Sequence, residues 1–359
     1  MTHGAPFSGF WGGLKKPIVA LSPMDGVTDF ACRAMNARYG RPDVMFTEFT
    51  TTVGIFYAPE KVLRDFDYSE IERPIVAQVY GNHPDDFYRA AHVVAELGFD
   101  GLDINMGCPA KQVTQKNCGA ALIRVPELAL GIVRATRLGL EDWARGQTLE
   151  SLKIPERVIS VVAGMNVRRA GYERPSERRL IPYSVKTRLG FDEVVIEDWV
   201  KTLLSERPAV ISVHGRTLKQ MYKGAARWED IARAAAVARG TGTLLLGNGD
   251  LPSLAEAHRR IAETGVDGVL IGRASLGNPW VFRKDRAEGE SEISKEERIR
   301  VALEHARYFV EVRGEREFKA VRKHMVGYLR SFPDAASLRR QALDTPDLKS
   351  LSEVLHAAL

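Results

Sequence analysis

Cys108 is the residue with the clearest potential for chemistry in this sequence. It stands three positions after Asn105 and directly before a proline, so we expect it on a loop just past an apolar run. A thiol in such a loop can be reached by a substrate, whereas Cys32 lies in a helical pattern and is expected in the core. Cys118, in a second loop, is the competing candidate. The alternative for Cys108 is a structural role as a small apolar side chain.

A second group of polar and glycine residues follows other apolar runs. Glycines let backbone N–H groups approach phosphate oxygens because no Cβ intervenes, and an arginine can add positive charge to the same group. A lysine could stabilise negative charge on a reduced flavin ring, and a glutamine offers that ring a donor and an acceptor. Each signal alone also fits a plain turn or a structural side chain. Together they suggest a site for a phosphorylated, planar cofactor, formed by Gln78, Lys186, His214, Asn248, Gly249, Asp250, Gly272 and Arg273.

Eight short apolar runs predict the strands that position these residues. Helical patterns separate most of them, such as Asp85–Leu97 and Leu254–Thr264. Continuous apolar strands that alternate with helices are typical of a parallel sheet buried on both faces. Eight such units favour an α/β fold of the (β/α)8 TIM-barrel type over a doubly wound sheet, with the active site where the strands end. The runs begin at residues 17, 44, 74, 101, 183, 210, 243 and 268.

Two segments fall outside this alternation. Residues 141–180 are rich in Arg and Glu and follow a helical pattern that ends near Leu138. We expect a solvated insertion with some structure of its own, and an RNA-contacting or oligomerisation element is the alternative. From Ser294 onward helices dominate, which divides the chain into a barrel at residues 1–290 and a small α-helical domain at 291–359. The predicted helices are Glu297–Arg313, Glu317–Arg330, Ala335–Leu343 and Leu348–Ala358.

Composition places the chain among ordinary globular proteins. Its 359 residues are 45% apolar and 27% charged, which argues against a disordered or collagen-like chain. The sequence has neither a run of roughly 18 apolar residues nor a secretory signal, so we expect a cytoplasmic protein without a membrane partner. Three cysteines are too few for a disulfide framework, and their spacing predicts no metal site.

Positive charge is concentrated in the helical domain. Between Lys319 and Arg340 six Lys and Arg residues accompany one acid, Asp334, and this excess of +5 equals the net charge of the whole chain. Such a face can bind phosphates, although a solvated helix surface has the same composition.

Eight motifs in this sequence, taken together, resemble those of the tRNA-dihydrouridine synthases, flavoenzymes that reduce uridine in tRNA to 5,6-dihydrouridine. The C-terminal segment Val321–Pro333 is also similar to the helical domain of that family. The sequence departs from the family at Asp25, where a small residue is usual, and at the insertion. The motifs, which stand in family order, are Ser22–Asp29, Ala77–Asn82, Asp103–Val113, Gly119–Arg124, Ser184–Gly190, Val213–Thr217, Gly247–Asp250 and Ile271–Phe282.

The resemblance implies that the barrel binds FMN. By motif position, Pro23, Met24 and Asp25 would line the flavin from the first strand, while Gln78 and Lys186 would contact its ring. The ribityl chain and the phosphate would be held by His214, Asn248, Gly249, Asp250, Gly272 and Arg273.

The resemblance also implies a reaction on tRNA. NADPH reduces FMN, with NADH as an open alternative, hydride passes to C6 of a uracil, and Cys108 protonates C5 as a general acid. A thiol with the ordinary pKa of about 8.5 is protonated at neutral pH, as this role requires. The motif places Asn105 to hydrogen-bond the uracil, and the uridine must leave its stack to reach the flavin. The candidate phosphate contacts are Lys111, Arg216, Arg322, Lys323, Arg330, Arg339 and Arg340.

Two other functions fit parts of the pattern. A catalytically silent RNA-binding flavoprotein would keep the basic helical face without the acid, and the presence of Cys108 counts against it. Another FMN barrel oxidoreductase, acting on a small metabolite, would leave the basic C-terminal domain unexplained. We therefore expect a tRNA-dihydrouridine synthase that acts as a monomer.

Overall fold

A closed barrel of parallel strands forms the body of the protein. The computed structural model describes residues 5–284 and 293–359. Its strands pair in the order β1-β8-β7-β6-β5-β4-β3-β2. The backbone N–H of Leu21 donates to Val44 O (3.0 Å) and that of Asp43 to Val19 O (2.9 Å), which joins the first strand to the start of the second. The (β/α)8 barrel predicted from the sequence is confirmed. The strands are β1 (Ile18–Leu21), β2 (Met45–Thr51), β3 (Ile75–Tyr80), β4 (Gly101–Met106), β5 (Tyr183–Arg188), β6 (Val210–His214), β7 (Leu244–Asn248) and β8 (Gly268–Ile271).

The strand register brings polar residues side by side at one edge of the barrel. Gln78 is paired with Asp103, and Asn105 with Lys186. His214 is paired with Asn248 on the next strand. Because parallel strands point the same way, their carboxyl ends meet at this edge and gather residues from distant parts of the sequence.

Helices cover the outside of the barrel and form the C-terminal region. The predicted helix Leu254–Thr264 is found with those bounds, whereas the helix predicted to end near Leu138 continues to Ala144. The helices are α1 (Phe30–Tyr39), α2 (Thr52–Tyr57), α3 (Pro59–Val62), α4 (Pro84–Glu96), α5 (Lys111–Thr114), α6 (Pro126–Ala144), α7 (Glu156–Ala170), α8 (Ile196–Leu204), α9 (Trp228–Ala238), α10 (Leu254–Thr264), α11 (Lys295–Arg313), α12 (Arg322–Tyr328), α13 (Ala335–Asp344) and α14 (Leu348–His356).

The segment predicted as an insertion contains α7, which packs against the barrel. One face of this helix is buried, including Val158 and Val162. Asn166 donates from Nδ2 to the carbonyl of Glu96 at the end of α4 (2.9 Å). Trp143, near the start of the segment, donates from Nε1 to Glu96 Oε2 (2.7 Å). The segment therefore extends the helical layer outside the barrel.

The C-terminal helices pack on α1 and on the loop after β8. Their shared core includes Phe30 of α1, Trp280 and Phe309. Close approach is possible because both partners are glycines: a Cβ at Gly327 would lie 1.8 Å from Leu276 O, and one at Gly277 would lie 2.1 Å from His324 O. The helical region is therefore seated directly beside the mouth of the barrel.

The helical region differs from the sequence prediction at one helix. The helix predicted at Glu317–Arg330 is divided into a 3-10 turn at Glu315–Ala320 and α12. The domain boundary predicted between residues 290 and 291 lies outside the described residues. Among the helices that are described, none combines the length and the apolar character needed to cross a bilayer.

Candidate active site

A cleft of about 1040 Å³ opens at the carboxyl edge of the barrel. It brings together Cys108, Asn105 and every residue that the sequence assigned to the cofactor. The wall also contains Arg330 from the end of α12, so the helical region contributes to the same cleft. The predicted residues that line it are Pro23, Met24, Asp25, Gln78, Asn105, Cys108, Lys186, His214, Asn248, Gly249, Asp250, Gly272 and Arg273.

A row of buried hydrogen bonds forms the floor of the cleft. Gln78 donates from Nε2 to Asp103 Oδ2 (2.7 Å) and accepts at Oε1 from Asn105 Nδ2 (2.9 Å). Ser184 donates from Oγ to Asp103 Oδ1 (2.5 Å). Burial raises the pKa of Asp103 to about 6, although these hydrogen bonds and the charge of Lys186 lower it. The row holds the side chain of Gln78 in one orientation.

Lys186 lies beside this row on β5. Burial lowers the pKa of its ammonium to about 8, and the neighbouring Arg188 acts in the same direction, while Asp103 opposes it. A lysine with this pKa is charged at neutral pH, and an anionic ligand would further stabilise the charged form. Lys186 can therefore provide a positive charge to a bound cofactor ring.

Cys108 is held in a loop that Asn105 organises. Oδ1 of Asn105 accepts the backbone N–H groups of Gly107 (3.0 Å) and Cys108 (2.9 Å). Gly119 adopts a φ of +59°, and a Cβ there would lie 2.7 Å from the carbonyl oxygen of Cys108, so this tight contact requires glycine. Cys108 is 8% exposed, and burial is the main cause that raises the pKa of its thiol. The thiol is therefore protonated at neutral pH.

The competing cysteine lies next to this loop. Cys118 packs in the same small apolar cluster as Cys108, together with Val113, Phe49 and Tyr80. Cys118 is also a free thiol, and its pKa is raised by burial. Cys108 contributes to the cleft wall, and Cys118 is not among the described side chains that do so.

The turns after β7 and β8 bring backbone N–H groups to the wall of the cleft. Within residues 5–284 and 293–359, the N–H groups of Gly249, Asp250, Gly272 and Arg273 have no backbone acceptor. Gly249 has a φ of +133°, a conformation that favours glycine. Unpaired N–H groups on glycine-containing turns are typical of phosphate sites in this fold.

Asp250 organises the charges around these turns. It accepts hydrogen bonds from Arg216 Nη2 (2.5 Å), Arg273 Nη2 (2.6 Å) and the backbone N–H of Ala226 (2.8 Å). Burial raises the pKa of Asp250, but the hydrogen bonds from Arg216 and Ala226 outweigh it, so the net pKa is below the ordinary value. The carboxylate holds Arg273 at the rim, where its guanidinium remains largely exposed.

His214 is neutral in this environment. Burial is the main cause that lowers its pKa well below the ordinary value, and the charges of Arg188, Lys186 and Arg216 act in the same direction. Nε2 of His214 accepts from Arg216 Nη1 (3.3 Å), so the N–H at Nδ1 remains to donate to a bound hydroxyl group.

Arg188, which lies within the motif Ser184–Gly190, is a functional candidate that the sequence analysis did not assign to the site. Its Nε donates to the carbonyl of Gly107 (2.6 Å), and its Nη1 donates to the carbonyls of Thr217 (3.2 Å) and Met221 (3.0 Å). It thereby ties the thiol loop to the loop after β6, from which Tyr222 exposes 63% of its surface. Its position at the end of a motif strand was the available signal.

The predicted phosphate contacts outside the cleft differ in their surroundings. Lys111 is exposed at the start of α5, beside the thiol loop. Arg216 is only 2% exposed and donates to Asp250 and to the carbonyl of Gly224. The guanidinium of Arg216 is buried, and its N–H groups donate to acceptors within the protein. The residue that was expected to contact tRNA instead supports Asp250.

The basic residues of the helical region also differ in their surroundings. Arg322 donates from Nη1 to the carbonyls of Leu343 (2.6 Å) and Thr345 (3.1 Å) at the end of α13. Arg339 donates to the carbonyl of Leu329 (3.0 Å). These two guanidinium groups therefore connect helices, whereas Lys323 is half-buried and its charge acts on Asp25 at the cleft.

A (β/α)8 barrel with a cationic cleft and a protonated thiol at its carboxyl edge defines the class of this protein as a barrel enzyme. The family model described as dihydrouridine synthase matches residues 19–142 and 171–359. The chain therefore belongs to the dihydrouridine synthase family. The enzyme class predicted from the sequence, a flavin-dependent oxidoreductase, is confirmed by this membership. The unmatched residues 143–170 contain α7, so the departure from the family falls within the predicted insertion.

Curated relatives match over nearly the whole chain. A probable tRNA-dihydrouridine synthase of Staphylococcus aureus (strain COL) is 33% identical over 353 residues, which cover 96% of this chain and 94% of the relative. Probable tRNA-dihydrouridine synthase 2 of Bacillus subtilis (strain 168) is 33% identical over 351 residues, with the same coverage.

Solved structures show weaker similarity. Morphinone reductase in complex with tetrahydroNAD is 13% identical with a TM-score of 0.40, covering 77% of this chain and 88% of that one. The old yellow enzyme homologue from Zymomonas mobilis is 14% identical with a TM-score of 0.39, covering 73% and 85%. These scores are too low to add to the family assignment.

Proposed function

We propose that this protein reduces uridine in tRNA to 5,6-dihydrouridine, with FMN held in the cleft and NADPH as the reductant. The observation that carries the proposal is the position of Cys108, a protonated thiol fixed by Asn105 in the wall of the same cleft as Lys186. Family membership and the names of the curated relatives support the same reaction.

The residues around the cleft fit FMN. The unpaired N–H groups after β7 and β8 suit a phosphate, and Arg273 adds a positive charge at the rim. Lys186 and Gln78 suit the polar edge of the isoalloxazine ring. A volume of about 1040 Å³ is at the upper end of small-molecule sites, so it leaves room for a base beside the cofactor. When bound, FMN supplies the hydride that reaches C6 of the uracil.

Cys108 supplies the proton in this proposal. Its Sγ–H bond breaks as the proton adds to C5, so hydride and proton together saturate the C5=C6 bond. Burial holds the proton on sulfur at neutral pH, because it disfavours the thiolate. Arg188 and Lys186 have the opposite effect on this pKa and limit the rise.

Asn105 positions both the thiol loop and the uracil. Its Oδ1 is occupied by the backbone of the thiol loop, and one N–H of Nδ2 is occupied by Gln78. The second N–H of that amide remains for a carbonyl oxygen of the uracil. The base must leave its stack in the tRNA to reach this depth, and phosphate contacts outside the cleft must hold the RNA while it does so. Lys111 and Arg330 are placed for such contacts.

The two neighbouring cysteines provide the test. Purified protein with FMN and NADPH is incubated with unmodified tRNA, and dihydrouridine is measured by mass spectrometry. We expect Cys108→Ala to lower the rate by at least about 10²-fold, the ordinary contribution of a general acid. Oxidation of NADPH by the bound flavin should persist in this variant. Cys118→Ala, a matched change in the same cluster, should keep the activity of the wild-type protein.

Two outcomes would contradict the proposal. Full dihydrouridine formation by Cys108→Ala would remove the acid from the mechanism. A wild-type protein that binds tRNA and flavin but forms no dihydrouridine would favour the catalytically silent alternative.

A further inference from the structure

A buried cluster of three side chains lies outside the cleft, between the barrel and the C-terminal helices. Asp29 is the N-cap residue of α1, His305 lies on α11 and His324 lies on α12. Each offers one potential ligand atom, and these three atoms lie within 4.8 Å of one another. All three residues are buried.

The polar atoms of this cluster are incompletely paired. Nδ1 of His305 contacts the hydroxyl of Tyr328 (3.1 Å), but its Nε2 has no hydrogen-bond partner in the described part of the chain. Both ring nitrogens of His324 are also without a partner there. Oδ1 of Asp29 accepts the backbone N–H of Cys32 (2.9 Å), which caps α1. Buried polar atoms are nearly always paired, so these nitrogens require a partner such as water or an ion, and one ion can bond one nitrogen of each ring.

We propose that Asp29, His305 and His324 bind one divalent transition-metal ion, best matched by Zn²⁺. Imidazole nitrogens with a carboxylate oxygen are common ligands of zinc, whereas Mg²⁺ and Ca²⁺ prefer oxygen atoms. Three protein ligands leave a fourth position, which a water molecule can fill. Zinc sets ligand atoms about 2.0–2.2 Å from the ion and therefore about 3.4 Å from one another. Atoms that lie within 4.8 Å of one another must close by up to about 1.4 Å to bind it.

The protonation state of the cluster is suitable for metal binding. Burial lowers the pKa of His305 to about 4 and that of His324 well below its ordinary value, so both rings are neutral, the form that coordinates metal. Lys323 faces both rings and opposes a cation, while Asp29 and Glu304 favour positive charge at His305. The half-buried side chain of Lys323 leaves its charge partly screened by water.

An ion at this place would join the two parts of the molecule. Asp29 ends the loop whose residues Pro23, Met24 and Asp25 line the cleft, and the two histidines belong to the helices that carry Arg330. The cysteine spacing that predicts no metal site does not bear on this cluster, because its ligands come from three distant segments. The ion would have a structural role and is independent of the proposed reaction.

Metal titration tests the proposal. The full-length protein is treated with a chelator, dialysed, and titrated with CoCl₂, followed by displacement with ZnCl₂. We expect about one Co²⁺ per chain, visible absorption without thiolate charge-transfer bands, and loss of that absorption as Zn²⁺ enters. Asp29→Asn keeps a good helix cap, and His324→Gln keeps a polar side chain of similar size. Each should weaken Co²⁺ binding by at least about tenfold. His356→Gln, on the surface of α14, is the matched control and should bind like the wild-type protein.

Several results would overturn the proposal. Wild-type protein that takes up neither Co²⁺ nor Zn²⁺ would show a cluster filled by water, and this result does not depend on the folding of any variant. Thiolate charge-transfer bands would place the ion on a cysteine. Unchanged binding by folded Asp29→Asn and His324→Gln proteins would place it elsewhere.

Discussion

The side-chain oxygen of Asn105 accepts the backbone N–H of Cys108 (2.9 Å), while the nitrogen of the same amide donates to Oε1 of Gln78 (2.9 Å). One side chain therefore fixes the thiol loop and the polar floor of the cleft together. Gln78 continues the row to Asp103, whose second oxygen is held by Ser184. The position of the thiol relative to the floor depends on Asn105.

Replacing Asn105 should separate these two functions. Asn105→Ala removes all three hydrogen bonds of this side chain, to Gln78, Gly107 and Cys108. We expect kcat/KM for tRNA to fall about 10²-fold, because displacement of a catalytic group by about 1 Å can have that effect. Asn105→Asp keeps an acceptor for the thiol loop but, when ionised, cannot donate to Gln78. Its kcat/KM should therefore lie between those of the wild-type and the Asn105→Ala proteins. Asn82→Ala removes a comparable bond, from Nδ2 to the carbonyl of Lys116 (2.8 Å), and serves as the control. Equal activity of the Asn105→Ala and Asn82→Ala proteins would contradict this role.

Lys186 should make the affinity for FMN depend on pH. The pKa of Lys186 is lowered to about 8, chiefly by burial, so the free protein loses this charge as the pH rises through that value. FMN carries negative charge and its ring offers acceptor atoms to the ammonium, so bound FMN favours the charged lysine. Affinity should therefore be highest below pH 8 and fall above it, by at most about tenfold per pH unit. Quenching of flavin fluorescence measures the affinity.

Variants identify the group responsible for this pH dependence. Lys186→Met should bind FMN more weakly at pH 7 and lose the decline above pH 8. Lys219→Met, an exposed lysine in the loop after β6, should follow the wild-type curve. A Lys186→Met protein with the wild-type slope would assign the titration to another group.

The barrel could be predicted from the sequence because its strands are continuous apolar runs and their number favours closure. The composition of the cleft followed, since every strand end meets at one edge. The end of α6 was predicted near Leu138, but the helix continues to Ala144 and contains Gly139 in its interior. A Cβ there would lie 2.4 Å from the carbonyl oxygen of Tyr88, so glycine permits close packing of α6 on α4.

Charged residues were harder to place from the sequence. Arg216 and Arg322 have the composition of a phosphate-binding surface, yet one is buried against Asp250 and the other donates to carbonyls at the end of α13. A single sequence does not reveal which arginines have partners inside the protein. The cluster of Asp29, His305 and His324 was missed for the same reason, since its members meet only through packing of the helical region on α1.

The contact between Gly327 and Leu276 should be essential for docking of the helical region. A Cβ at position 327 would overlap the carbonyl of Leu276, so Gly327→Ala must shift the α12 backbone. We expect a loss of about 1–3 kcal/mol in the free energy of unfolding, as for other overpacked sites. Gly13→Ala is the control, because a Cβ there meets no atom within 4 Å. Equal denaturation curves for the two variants would show that the interface adjusts freely.

Arg330 should provide a phosphate contact at the cleft. It lines the cleft wall from the end of α12, and among the described residues its guanidinium has no hydrogen-bond acceptor, unlike that of Arg322. Arg330→Gln should weaken tRNA binding at low salt and reduce the slope of log Kd against log salt by about 0.7–0.9, the value for one lost phosphate contact. Binding is measured by filter retention at several salt concentrations.

Arg322→Gln is the informative comparison for Arg330→Gln. Loss of its bonds to Leu343 and Thr345 should destabilise the helical region while the salt slope of tRNA binding stays at the wild-type value. The sequence alone pairs Arg322 with Lys323 as phosphate contacts, and the two interpretations differ in which variant changes the slope. A smaller slope for Arg322→Gln with an unchanged slope for Arg330→Gln would favour the sequence-based assignment, because counterion release depends only on the charges that face the RNA.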